Sequence, residues 1–259
     1  MTFTHRILIL GIMFSATLAA LGFVPPIPQD PNYHNLADPR PYLGIPNFGD
    51  VTSNAGFLIV GVLGLMTVLG RKGREIFTNR TDALPYIVFF AGVGLVSIGS
   101  SYYHLVPDND RLFWDRLPMT IAFTALFSAI VADRIDRTTG IKWLLPILIA
   151  LGIASLLYWD WTESQGRGDL RFYGLVQFYP MIALPVICWL FPKARYTGGG
   201  YLIWVIFWYA AAKVLEYFDA EILALLGGAV SGHSLKHLAA AMATLAVLRM
   251  VAGSRRPAV

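Results

Sequence analysis

The sequence predicts an all-α, polytopic transmembrane bundle, with a seven-helix core preceded by one further hydrophobic segment. Three observations predict it. Of the 259 residues, 56% are hydrophobic and 14% charged, and the mean hydropathy is +0.58, so too little charge is present to clothe a water-soluble surface. Eight apolar runs of roughly 17–21 residues are each long enough, at about 1.5 Å per residue, to cross a hydrocarbon core about 30 Å thick. The runs are continuous and lack the alternation of a membrane barrel, which leaves helices as the way to satisfy the backbone in lipid.

The runs fall near 7–24, 51–69, 84–104, 117–133, 141–158, 172–191, 200–218 and 233–252. The first follows a short basic start and ends at Ala20-Leu21-Gly22 before Pro25-Pro26, so 1–24 reads as a signal peptide or an extra transmembrane helix. Residues 25–259 then form one seven-helix domain, with no internal repeat and no linker long enough to divide it. Trp159 and Trp161, at the end of the fifth run, read as interfacial anchors. Gln177 and Tyr179 precede Pro180 in the sixth, where a kink is expected. Late in the seventh, Lys213 and Glu216 are spaced to pair, chiefly as a structural ion pair near the interface, and Asp219 follows them.

Lys and Arg orient the bundle. Thirteen (Arg6, Arg71, Lys72, Arg74, Arg80, Arg134, Arg137, Lys142, Lys193, Arg195, Arg249, Arg255 and Arg256) fall on one side, and five (Arg40, Arg111, Arg116, Arg167 and Arg171) on the other. The positive-inside rule places both termini of the full chain in the cytoplasm. The pI of about 9.2 is thereby read as an orientation signal, and no basic stripe suited to nucleic acid is present. The single Cys188 excludes an intrachain disulfide and a thiolate metal cluster, so any metal must use His, Asp or Glu.

His233 and His237 open the last run and, four apart on a helix, lie on one face. That spacing suits one metal ion, although each can equally be a buried polar residue satisfied by a hydrogen bond. The orientation puts His104, at the end of the third run, at the same outer depth, with Asp115 entering the fourth. Three neutral imidazoles leave a tetrahedral position open for water, the arrangement of catalytic zinc, and such a metal lowers the water's pKa from 15.7 toward about 7. Ser100, one turn before His104, could donate to an oxyanion, and Asp115 could move the proton. Singly, a membrane serine more commonly bonds its own backbone and an Asp before a helix commonly caps it. Lys236 falls off the histidine face and is expected to snorkel outward. His34, on the same outer side, is either a competing ligand or a loop residue packed over the mouth of the site.

Ser100-x-x-x-His104, Asp115-Arg116-Leu117-Pro118-Met119 and His233-x-x-x-His237 resemble the three motifs of the alkaline ceramidases, within the membrane hydrolase superfamily that also includes the progestin and adipoQ receptors. The eleven-residue gap from His104 to Asp115 fits, and Pro46-Asn47-Phe48-Gly49-Asp50 resembles the stretch entering that family's first core helix. The resemblance spans roughly 45–250. It implies that His104, His233 and His237 bind zinc, that Ser100 and Asp115 assist, and that the reaction is hydrolysis of ceramide or a related acyl amide to a sphingoid base and a fatty acid. The family also carries an acidic calcium-binding segment and a glutamate where this chain has Asn47. Here Asp38, Asn47 and Asp50 are the residues that could offer oxygens to calcium, with Arg40 beside them.

Two function classes follow. One is a zinc-dependent intramembrane lipid amide hydrolase, whose partners are its lipid substrate and the surrounding membrane lipids. The other is a receptor-like or structural zinc protein without turnover. A transporter relaying protons or metal is weaker, because the charged groups cluster at one end and none crosses the bilayer.

Overall fold

The computed structural model describes residues 1–254. Arg255 and Arg256 of the inner charge count lie outside the described residues. The bundle is all-α: α1 (Phe3–Phe23), α2 (Phe48–Ser53), α3 (Ala55–Leu69), α4 (Arg71–Ile76), α5 (Leu84–Leu105), α6 (Asn109–Arg134), α7 (Leu145–Ser164), α8 (Arg171–Leu190), α9 (Gly200–Tyr217), α10 (Asp219–Leu225) and α11 (Gly232–Ala252). Seven helical stretches are long and apolar enough to span a bilayer, α2 and α3 counting as one. An eighth span is α9 taken with α10, from which it is bent by 81°.

Local chemistry sets the boundaries. α2 and α3 are interrupted at Asn54, whose side-chain amide donates to the Asp50 carbonyl at 2.8 Å. α6 begins at Asn109, eight residues before the apolar run, because Asp108 caps it by accepting from the Arg111 N–H at 2.7 Å. Asp115 and Arg116 therefore lie inside a helix, and Asp115 is not an N-cap. A single π-helical stretch, Thr139–Leu144, leads into α7, and the Ser128 hydroxyl bonds the Gly140 carbonyl in it at 2.7 Å. α8 runs on through both Pro180 and Pro185.

The centre of the bundle is α5 against α6, with Phe90, Val93, Ala125 and Ile130 buried. Glycines let backbones touch. A Cβ on Gly61 of α3 would lie 2.6 Å from the Gly94 Cα of α5, and one on Gly99 would lie 2.2 Å from the Trp114 carbonyl oxygen of α6, the small-residue packing that membrane helices use in place of a hydrophobic driving force. α1 stays outside. It has no buried residue and leans on the bundle through Phe3 against Phe191 and Phe14 against Tyr179 of α8.

The two ends of the bundle are closed differently. At the end carrying the basic loops, Asp133 accepts from the Tyr196 and Thr197 N–H groups at 2.7 and 3.2 Å, and Arg134 donates to the carbonyls of Phe191 and Thr197 at 3.0 and 3.3 Å. Adjacent residues of α6 thus staple the whole turn between α8 and α9. At the other end residues 24–47 lie across the helix ends, held by Leu170 N–H to the Ile27 carbonyl at 2.8 Å and Arg171 to the Val24 carbonyl at 2.6 Å.

The staple predicts a stability effect remote from the site. Asp133→Ala strands the Thr197 N–H and hydroxyl and the part-buried Tyr196 N–H, at about 1–3 kcal/mol for each buried donor, so it is expected to lower the thermal midpoint in detergent without changing metal content. Loss of metal in a folded Asp133→Ala protein would contradict this separation of the two ends.

Candidate metal centre

His104 lies in the last turn of α5, and His233 and His237 in the first two turns of α11. All three are buried. Their ligand nitrogens lie within 4.8 Å of one another, and His104 Nε2 is 3.3 Å from His233 Nε2. Zinc–nitrogen bonds of about 2.0–2.1 Å at a tetrahedral angle hold two nitrogens about 3.3–3.4 Å apart, so the pair already stands at metal-ligand spacing. His237 Nδ1 is 2.8 Å from the Ser53 hydroxyl, which in turn donates to the Asp50 carbonyl at 3.2 Å. That bond orients the ring and leaves Nε2 for the cluster. His104 Nδ1 is buried with no hydrogen-bond partner. Three buried imidazoles with two Nε2 atoms already at ligand spacing fit a bound cation, and the group could hold one.

The frame around the histidines is built from carboxylates and short polar side chains. Ser231 caps α11 by accepting from Ser234 N–H at 2.9 Å, and both hydroxyls donate to Asp50 Oδ1, at 3.0 and 2.7 Å. Asp219 accepts from His233 N–H at 2.7 Å. Two carboxylates therefore meet the positive end of α11 and tie it to α2 and to the α9–α10 bend. The Asn47 amide donates to the His104 carbonyl at 2.7 Å, fixing the end of α5.

These contacts bear on the calcium expectation. Calcium takes six to eight oxygens, but Arg40 binds both oxygens of Asp38, at 2.6 and 2.7 Å, and holds its carboxyl below the usual carboxylate range. Asp50 and Asn47 serve as struts of the histidine cluster. His34 ends a short 3-10 helix, Pro31–His34, and its ring nitrogens bond the Tyr103 hydroxyl at 3.1 Å and Asn109 Oδ1 at 3.0 Å, so it does not join the ligands.

Ser100 and Asp115 are both buried and line one cavity. Gly99 brings α5 against the α6 backbone at Trp114, next to both residues. With His237 they line the polar end of this cavity, whose volume is about 220 Å³. From there the cavity runs down between helices past Val93, Ala122 and Ala243 to Phe89, Leu126 and Val247. Phe89 and Leu126 lie eleven residues from Ser100 and Asp115 along their helices, a depth of roughly 16 Å.

Three expectations are corrected. Lys236 does not snorkel outward: its Nζ lies 2.9 Å from His233 Nε2 and 2.8 Å from Glu216 Oε1. Lys236 is three residues after His233 and so shares its face, and a buried carboxylate draws it in. With Glu216 as its partner, Lys236 can release the His233 lone pair to a cation without being stranded. Glu216 is more than half of a peripheral ion pair, since it joins Lys213 at 2.7 Å, Lys236 and the Tyr33 hydroxyl at 3.1 Å at the cavity wall. Burial pushes the Tyr33 phenol well up, which keeps it a donor to Glu216. Trp161 is exposed but Trp159 is 0% exposed, packed beneath Arg116 with its indole N–H on Glu163 at 3.1 Å. Charged side chains in apolar runs were the sequence signal for the Glu216 cluster, whereas nothing in the local pattern distinguishes Trp159 from Trp161.

Compared with protein-family profiles, with curated proteins and with solved structures, the chain matches none.

The geometry predicts that the protein binds one divalent transition-metal ion per chain. His233→Ala should abolish binding, and Ser53→Ala, which removes the His237 orienting bond, should weaken it about 10- to 100-fold in chelator competition. Unaltered affinity in Ser53→Ala would remove Ser53 from the centre.

Proposed function

We propose that this chain is a zinc-dependent intramembrane hydrolase of lipid amides, with ceramide as the first candidate substrate and a sphingoid base and fatty acid as products. The reading is the one implied by its resemblance to the alkaline ceramidases. The observation that carries it is three buried imidazoles clustered at the end of a deep apolar cavity that Ser100, Asp115 and His237 line together. A purely structural metal has no use for a serine and a carboxylate beside it, nor for space to hold a chain.

His104, His233 and His237 would hold the metal. When bound by three imidazoles, such an ion acidifies water and polarises a carbonyl. The protein's own groups do the rest. The apolar walls take up an acyl chain and exclude water from all but the polar end, which strengthens electrostatic effects there. Asp115 accepts the proton of the attacking water and returns it to the departing amine nitrogen. Ser100 donates its one hydroxyl proton to the oxygen that becomes negative at the scissile carbonyl. Basic loops at the far end support an orientation in which this chemistry faces the non-cytoplasmic side, with the C-terminus in the cytoplasm.

Purified protein incubated with ceramides of several chain lengths and with simple acyl amides is expected to release fatty acid. A chelator should stop the release and zinc should restore it. Asp115→Asn should lower turnover about 10²- to 10⁴-fold with metal retained. Zinc-loaded protein that turns over no acyl amide would leave the receptor-like reading, and full activity in Asp115→Asn would remove it as the base.

A further inference from the structure

Arg116 has no part in the reaction above, although it stands next to Asp115 and lines the same cavity. It is 7% exposed. Its guanidinium sits 4.6 Å from the Trp159 ring centroid, 4.9 Å from Tyr173 and 5.7 Å from Tyr33. Nη2 donates to Gln29 Oε1 at 2.7 Å, and the Gln29 N–H is itself held by Glu163 Oε1 at 2.7 Å. Nη1 is buried and has no hydrogen-bond partner.

A buried guanidinium with an open donor is costly unless something answers it. The carboxylates of the cavity have other tasks: Glu216 is engaged by Lys213, Lys236 and Tyr33, and Asp115 is the base of the proposed reaction. Among the described lining residues, Arg116, Lys213 and Lys236 face only Asp115 and Glu216, which leaves one positive charge over. The aromatic faces and Gln29 fix the plane and rotamer of the guanidinium, so little side-chain freedom remains to be lost when a ligand arrives.

We propose that Arg116 is a head-group recognition residue whose free Nη1 takes a carboxylate-class anionic oxygen, so that lipid amides with an acidic group on the amine portion are favoured over neutral ones, ceramide included. This rests on the hydrolase reading and sharpens its substrate class. A carboxylate in the cavity has two sources, the head group of the substrate or the fatty acid released from it. The aromatic cage lies beside Asp115, where the amine portion departs, and the acyl chain has the apolar wall.

The test pairs N-oleoylglycine with its neutral counterpart N-oleoylethanolamine on the zinc-loaded full chain. Wild type is expected to prefer the acid in kcat/KM by about tenfold or more, the scale of a charge-assisted hydrogen bond in a buried site. Arg116→Gln should bring that ratio toward one, mainly through KM, and Arg116→Lys should restore part of it. Equal handling of both amides by wild type, or a ratio unmoved in Arg116→Gln, overturns the proposal. So does an Arg116→Gln effect confined to inhibition by added oleate, which would assign the site to the released acid. If neither amide is hydrolysed, the site is read by equilibrium binding of the same two compounds, and the hydrolase reading has failed only if ceramides are not hydrolysed either. Tighter binding of the acid that Arg116→Gln abolishes supports the inference, and equal binding overturns it. Should Arg116→Gln not fold, the wild-type preference and Arg116→Lys decide.

Discussion

Lipid offers no hydrogen bonds, so every polar group carried into this bundle has to be answered by another part of the chain. That constraint orders the histidine end. Asp50 is 0% exposed, and its Oδ1 is answered by two hydroxyls at the head of α11. The α11 N-terminus is answered again by Asp219, and the end of α5 by Asn47. Each contact closes a backbone or carboxylate debt, and together they leave His104, His233 and His237 no room except facing one another. The ligand cluster is the residue of a satisfaction problem solved around it, and its own nitrogens are the groups left for a cation to satisfy.

The same constraint explains why charge is gathered in one place. Lys213, Lys236, Glu216, Asp115 and Arg116 would each be expensive alone in an apolar bundle. Grouped at the mouth of a cavity they share partners, and the space beneath them is lined by Phe, Val, Leu and Ala. An amphipathic molecule with one polar end and a chain roughly 16 Å long would match both regions. At the opposite end Asp133 and Arg134 bond the backbone of the α8–α9 turn.

Much of the candidate site was legible in the sequence, because helix spacing and charge counting are short-range properties. His233 and His237 shared a face by their spacing, and span counting put His104 at their depth. Lys236 and Trp159 were misread for one physical reason. Snorkelling and interfacial anchoring assume a side chain that meets lipid or water, whereas these two meet Glu216 and Arg116 contributed by other segments. Asp115 escaped its N-cap reading because α6 begins with polar residues that hydropathy does not see, and Asp108 is its cap.

The sequence by itself determined the all-α membrane class, the number of apolar runs, the candidate ligands and their common end, since hydrocarbon thickness and helical period act on the chain locally. Only the tertiary structure decided that α9 breaks into α10 at an angle, that Ser53 and Asp50 support the histidines, and that a cavity opens beside them with Arg116 partly unanswered in its wall. Those features depend on which helix faces meet, and that is set by glycine contacts such as Gly99 on Trp114 and by buried polar pairings between residues far apart in the chain, which no local pattern encodes.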